Sequence, residues 1–118
     1  ITDRERLDWK RDYLAGRAWC DVGLYVGASK KNIAELGALE LQPNVCAVKV
    51  FAGSSNGDLL VEDDASLEAV MRSGRRRICY HSEDEYRLQE RRPMFTSGMP
   101  YRNHMVWRDV ECAALGTR

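Results

Sequence analysis

Apolar and polar positions along the chain change period several times, and each change marks an element. ITDRERLDWKRDYLAG reads as a helix with Leu7, Lys10, Tyr13 and Leu14 on one face, Thr2 or Asp3 as its cap and Gly16 as its end. DVGLYVGAS reads as a short strand closing at Gly27. Ser29 then caps KKNIAELGALEL, whose stripe is Ile33, Leu36 and Leu39, until Pro43-Asn44 breaks it before a second strand from Val45 to Phe51. After the loop GSSNGD comes the helix DDASLEAVMRSG, with Leu67, Val70 and Met71 inward and Gly74 at its C-terminus. RRICYH is a third strand, and HSEDEYRLQERR continues directly into helix with its acids in the first turn, where the helix dipole favours them. Beyond a turn at Ser97-Gly98-Met99-Pro100, NHMVWRDVECAALG predicts a last helix capped by Asn103.

Strand and helix alternate three times, which is the order of a parallel sheet built from βα units. The predicted fold class is therefore α/β, with residues 1–118 in one unit and no internal repeat or low-complexity tract. Three parallel strands leave two open edges and need cover on both faces. Such a piece is awkward alone and natural as a sector of a larger barrel.

Composition narrows the partners. The 118 residues hold 18 basic and 18 acidic side chains, so no global field points to nucleic acid or to a membrane surface. Arg75-Arg76-Arg77 and Arg91-Arg92 sit beside predicted element boundaries, where basic runs are usually solvated. Cys20, Cys46, Cys79 and Cys112 form no C-x-x-C pair, which argues against a zinc knuckle and a compact disulfide framework. Cys46 and Cys79 fall in apolar strand patterns and are expected to be free, buried thiols, as suits the cytoplasm. No run approaches the length of a membrane helix, and no signal-peptide pattern opens the chain. The chain has no initiator methionine and opens as a helix entered in mid-flow, as a segment of a longer protein would.

One residue disturbs this picture. The strand in VCAVKVFAGSS carries Lys49 in its middle, and an unpaired buried charge is costly. Alternation puts Val45, Ala47, Lys49 and Phe51 on one face, with Cys46, Val48 and Val50 on the other. Cys79 and His81 share a face of the third strand, and His81 is its last residue. In α/β folds chemistry collects at the C-terminal ends of the strands, so Lys49 and His81 are expected at one mouth. Taken singly, a strand lysine usually snorkels to water, and a histidine at a strand end usually makes a structural hydrogen bond. Taken together they suggest a metal site. A neutral lysine can take up carbon dioxide as a carbamate, whose two oxygens can bridge cations roughly 3.5–4 Å apart.

VKVFAGSSNGDLLV (Val48 to Val61), followed by YHSEDE (Tyr80 to Glu85), resembles the dihydroorotases of the amidohydrolase superfamily. CDVGLYVGASKKNIAEL upstream is similar to the family's third strand and helix, and His104, Arg108 and Glu111 match an H-x-x-x-R-x-x-E pattern downstream. The resemblance implies a (β/α)8 TIM-type barrel, of which this chain spans about strands 3 to 5. It implies a binuclear zinc centre that interconverts N-carbamoyl-L-aspartate and L-dihydroorotate in pyrimidine synthesis. Lys49 would be the carboxylated lysine bridging two zinc ions, and His81 a ligand of one. Metal chemistry would activate a water for attack on the ring amide.

The family's His-x-His pair, its substrate-binding Arg and Asn, another histidine and its catalytic aspartate match nothing in this chain, where the histidines are His81 and His104 alone. Asp84 and Glu83 read as first-turn acids and not as that aspartate. His104, Arg108 and Glu111 are equally compatible with capping, packing or a functional role. The segment supplies no catalytic residue beyond the two ligands, and its substrate contacts are not identified. It is expected to be inactive without the remaining barrel strands, and a homo-oligomer is compatible with the family. Three alternatives stay open. One is a hydantoinase- or allantoinase-like enzyme, since K-V-F is shared with both. Another is a non-catalytic homologue kept as a scaffold. The third is a flavodoxin- or receiver-type module, which GLYVGASKKN disfavours by lacking an acid cluster and a phosphate loop.

Overall fold

A computed structural model describes residues 1–55 and 57–118; Asn56, in the predicted GSSNGD loop, lies outside the described residues. The elements are α1 (Arg4–Leu14), β1 (Leu24–Gly27), α2 (Leu36–Glu40), β2 (Val45–Phe51), α3 (Asp64–Ser73), β3 (Ile78–His81), α4 (Glu85–Arg91), α5 (Asn103–Trp107) and α6 (Val110–Thr117). All three strands pair in parallel, in the order β1-β2-β3. This is the mixed α/β, parallel arrangement that the changing period predicts.

Helix α1 starts where the Asp3 carboxylate accepts the Arg6 N–H at 2.8 Å. At about 100° per residue, Leu14 returns to within roughly 20° of Leu7 while Tyr13 stands about 120° away. Leu7 accordingly is buried and Leu14 packs against the core, whereas Tyr13 turns outward to stack on Trp9, ring centroids 5.4 Å apart. The predicted inner face is thus correct for the two leucines and wrong for Tyr13. The same geometry explains α3, where Val70 is buried and Leu67 partly so, but Met71, expected inward, is 44% exposed.

The region after β1 departs from a simple Ser29-capped helix. The Ser29 N–H donates to Asn32 Oδ1 at 2.8 Å, and Asn32 Nδ2 donates to the carbonyls of Thr2 and Gly27 at 2.7 and 2.9 Å. A local side-chain bond of this kind competes with helix. A single 3-10 turn over Ile33–Glu35 therefore precedes the short α2, whose Leu36 and Leu39 are buried as expected. Buried Asn32 ties the end of β1 to the N-terminal segment.

Strand β2 has the predicted bounds but not the predicted alternation. Leu24 pairs with Val45 and Tyr25 with Ala47, so Cys46 is an extra residue on β2. The bulge moves Val45 onto the face of Val48 and Val50, all three in the core, and leaves Cys46 exposed. Cys79 is exposed as well, so the expectation of buried thiols fails at both positions; buried Cys112 is the exception.

Helices α1, α2 and α3 cover one face of the sheet. Leu7, Leu36 and Val70 meet Val26, Val48 and Val50 there, with Ile78 and Tyr80 packed at the margin. Fully buried Glu40 accepts the backbone N–H groups of Arg75 and Arg77 at 2.5 and 2.8 Å, fixing the turn that launches β3. The opposite face carries Tyr25, Ala47, Lys49, Phe51, Cys79 and His81, of which the small Ala47 is buried, Tyr25 and Cys79 are exposed and the others half-buried.

The C-terminal region is two helices where one was predicted. The backbone breaks at Arg108 (φ −100°, ψ 71°), and Asp109, not Asn103, acts as a cap, accepting the Cys112 N–H at 3.1 Å. Asp109 also holds the guanidinium groups of Arg87 and Arg91 at 2.6 and 3.1 Å, tying α4 to α6. Among the described residues no helix is long and apolar enough to cross a membrane.

Candidate functional site at the ends of the strands

Lys49 occupies the fifth position of β2, opposite Cys79, and Phe51 stands opposite His81 two residues on. With strands about 4.8 Å apart and a rise near 3.3 Å per residue, Lys49 and His81 lie on a diagonal of about 8 Å on one face. His81 is the last residue of β3, as predicted, and Lys49 lies two residues before the end of β2. The Lys49 ammonium sits over the Phe51 ring, 4.5 Å from its centroid, and the Phe51 and His81 rings are 5.6 Å apart. Among the described residues no carboxylate lies within ion-pair distance of Lys49. Its ammonium lies against an aromatic face at a half-buried position.

His81 is partnered differently. Its Nε2 is 2.7 Å from a carboxylate oxygen of Glu83. The guanidinium of Arg108 grips the same carboxylate at both oxygens, with Nε donating to Oε1 at 2.8 Å and Nη2 donating to Oε2. Burial alone would raise the Glu83 carboxyl, but the bonds from Arg108 and His81 outweigh it and hold it below the usual range. Arg108 is pushed up reciprocally by Glu83.

Glu83 is thus not a first-turn acid. The chain leaves β3 at His81, and α4 begins only after Asp84, whose side chain accepts the Arg87 N–H at 2.7 Å. The run SEDE resembles a helix start, which masks the role of its first acid; the H-x-E spacing at a strand exit was the available signal. Of the H-x-x-x-R-x-x-E residues, Arg108 alone reaches the cluster. His104 stacks on Tyr101 (5.6 Å) and meets Phe95 edge-on (5.3 Å), while Glu111 lies in the first turn of α6.

A cleft of about 210 Å³ opens behind Glu83, lined by Glu62, Asp64, Tyr80, Asp84 and Arg118 among others. A larger one of about 290 Å³, lined by Arg11, Asp21, Leu24 and Asn44, lies at the N-terminal ends of β1 and β2.

Among the described residues no group of three or more His, Cys, Asp and Glu is disposed to hold a metal ion. Lys49 and His81 have the right donor chemistry, since a carbamylated lysine offers two anionic oxygens and imidazole is the commonest metal ligand. They amount to two donors, fewer than a metal centre needs. No known protein-family model matches the chain.

Proposed function

We propose that this chain is the central portion, about strands 3 to 5, of a (β/α)8 barrel of the dihydroorotase type, a zinc-dependent cyclic amidohydrolase. The observation that carries the reading is Lys49. It is a lysine on the uncovered face of a parallel sheet, without an acidic partner among the described residues, at the mouth it shares with His81. A parallel sheet is normally covered on both faces. Closure into a barrel would turn the uncovered face into an interior and remove the two edges.

In that interior Lys49 would act as a carbamate. The neutral amine attacks carbon dioxide, a nitrogen–carbon bond forms, and the nitrogen releases a proton, leaving an anion with two oxygens. Those oxygens and His81 would be this chain's ligands for two zinc ions. Zinc, when bound, supplies Lewis-acid polarisation of the ring amide and an acidified water. The substrate would be a small cyclic amide such as L-dihydroorotate, in a cytoplasmic enzyme of pyrimidine synthesis that needs the remaining strands for activity.

The test is made on the natural protein. Its intact mass states whether further barrel strands are present, and zinc content is then measured after supply of zinc and bicarbonate. Turnover of L-dihydroorotate with bound zinc upholds the reading. Turnover of hydantoin alone moves the substrate, and absence of zinc after that supply leaves a scaffold.

A further inference from the structure

We infer that Glu83 is a positioning residue that fixes the tautomer of His81, with Arg108 as its anchor, so that Nδ1 is the ring nitrogen left to take a metal. The inference rests on the reading of His81 as a ligand, but its core is a proton assignment that stands without any metal.

The position of Glu83 is set from three sides. An ideal Cβ placed on Gly53 would lie 2.5 Å from the Glu83 carbonyl oxygen, and one on Gly116 would lie 2.8–3.0 Å from its carbonyl carbon, N and Cα. The loop after β2 and helix α6 thus press on the same residue, and both approaches require glycine. Next along the chain, the Asp84 N–H donates to the Cys112 carbonyl at 2.8 Å. The backbone is held so that the side chain reaches His81.

The proton follows from the hydrogen-bond inventory. Arg108 donates to both oxygens of Glu83, and a guanidinium has no acceptor. A carboxylate so gripped is ionised and can only accept. His81 Nε2, at 2.7 Å, must therefore be the donor. In a neutral imidazole the other nitrogen then carries the lone pair, and that nitrogen is Nδ1. Metal-binding histidines are commonly oriented in this way, by a carboxylate on the nitrogen that does not ligate. A purely structural ion pair between Glu83 and Arg108 would leave the His81 tautomer to solvent.

The experiment is a long-range 1H–15N correlation spectrum of the ¹⁵N-histidine-labelled protein at pH 8.5, with His104→Gln separating the two rings. The spectrum is recorded for the wild type, Glu83→Ala and Glu83→Gln, with circular dichroism as the check on folding. We expect the Nε2–H tautomer for His81 in the wild type, a mixed pattern in Glu83→Ala, and substantial retention in Glu83→Gln, whose amide oxygen can still accept. Zinc titration of the natural protein, with its remaining strands, should show about 10–100-fold weaker binding in Glu83→Ala. An Nδ1–H tautomer in the wild type, or a pattern unchanged in folded Glu83→Ala, overturns the assignment. If the tautomer responds as expected but the natural protein binds no zinc, the positioning role stands and the zinc reading falls.

Discussion

Gly53 and Glu83 approach so closely that a Cβ on Gly53 would stand 2.5 Å from the Glu83 carbonyl oxygen. No real Cβ contact is that short, and the obstacle is backbone that cannot swing aside. Gly53→Ala should therefore destabilise the fold by about 1–3 kcal/mol, the usual cost of overpacking. Gly116→Ala should do the same, because it meets the same residue from another side. Urea denaturation of the two variants and their double mutant checks this. Neighbours pressing on one residue should not be additive. A neutral result for either single variant would mean that the approach is looser than described.

Much of the fold was legible because it rests on strong local signals. Strand β2, from Val45 to Phe51, is bounded by Pro43-Asn44 and by Gly53, and those bounds are as read. Its face assignment failed at Val45 and Cys46, since a bulge is a property of pairing and leaves no trace in one strand's sequence. Asn32 and Glu40 were invisible for a related reason. Each uses its side chain on backbone groups that come near only in the folded chain. Within the candidate site, Lys49 and His81 announced themselves by being out of keeping with their strands. Glu83 did not, because acids before a helix are common, and its partner Arg108 comes from the far side of two intervening elements.

The thiols should divide sharply. Cys20, Cys46 and Cys79 are exposed, whereas Cys112 is buried and its thiol is pushed up by burial and by Asp109. A disulfide exchange reagent added to the native chain should titrate three thiols quickly, and the fourth only with unfolding. Cys79 stands opposite Lys49 on the uncovered face, so it also reports on closure. If further strands complete a barrel in the natural protein, Cys79 should become slow there. Rapid labelling of Cys79 in a protein with those strands would count against that face being an interior.

Acid should weaken the fold through two caps. The Lys30 ammonium, with help from the Ser66 N–H, holds Asp63 down at about 2, and Arg87 holds Asp109 below the ordinary carboxylate range. An unfolded aspartate titrates near 3.9. Because the folded values lie lower, the unfolded chain binds more protons in the interval. The stabilisation is complete above the unfolded value and is lost as pH falls through the folded ones. Melting temperature should hardly change from pH 7 to 5 and should fall below about pH 4. Lys30→Met should flatten part of that fall; an unchanged acid limb would show that the pair is too solvated to contribute.

Lys49 decides whether the site is chemical or merely a place where a lysine meets an aromatic ring. Its contact with Phe51, 4.5 Å from the centroid, accounts for about 0.5–1 kcal/mol at a partly exposed position. Lys49→Met keeps the stem and loses the amine, so it should cost no more stability than that. Zinc binding behaves differently if Lys49 carries a carbamate bridge. Lys49→Ala in the natural protein should then lose more affinity than the 10–100-fold typical of an outer-sphere partner. Acetate or propionate should restore part of it, since a short carboxylate can enter the space left by the side chain and offer the same two oxygens. A variant with wild-type zinc content and no response to carboxylate would remove the bridge, and the lysine would then be explained by Phe51 and water alone.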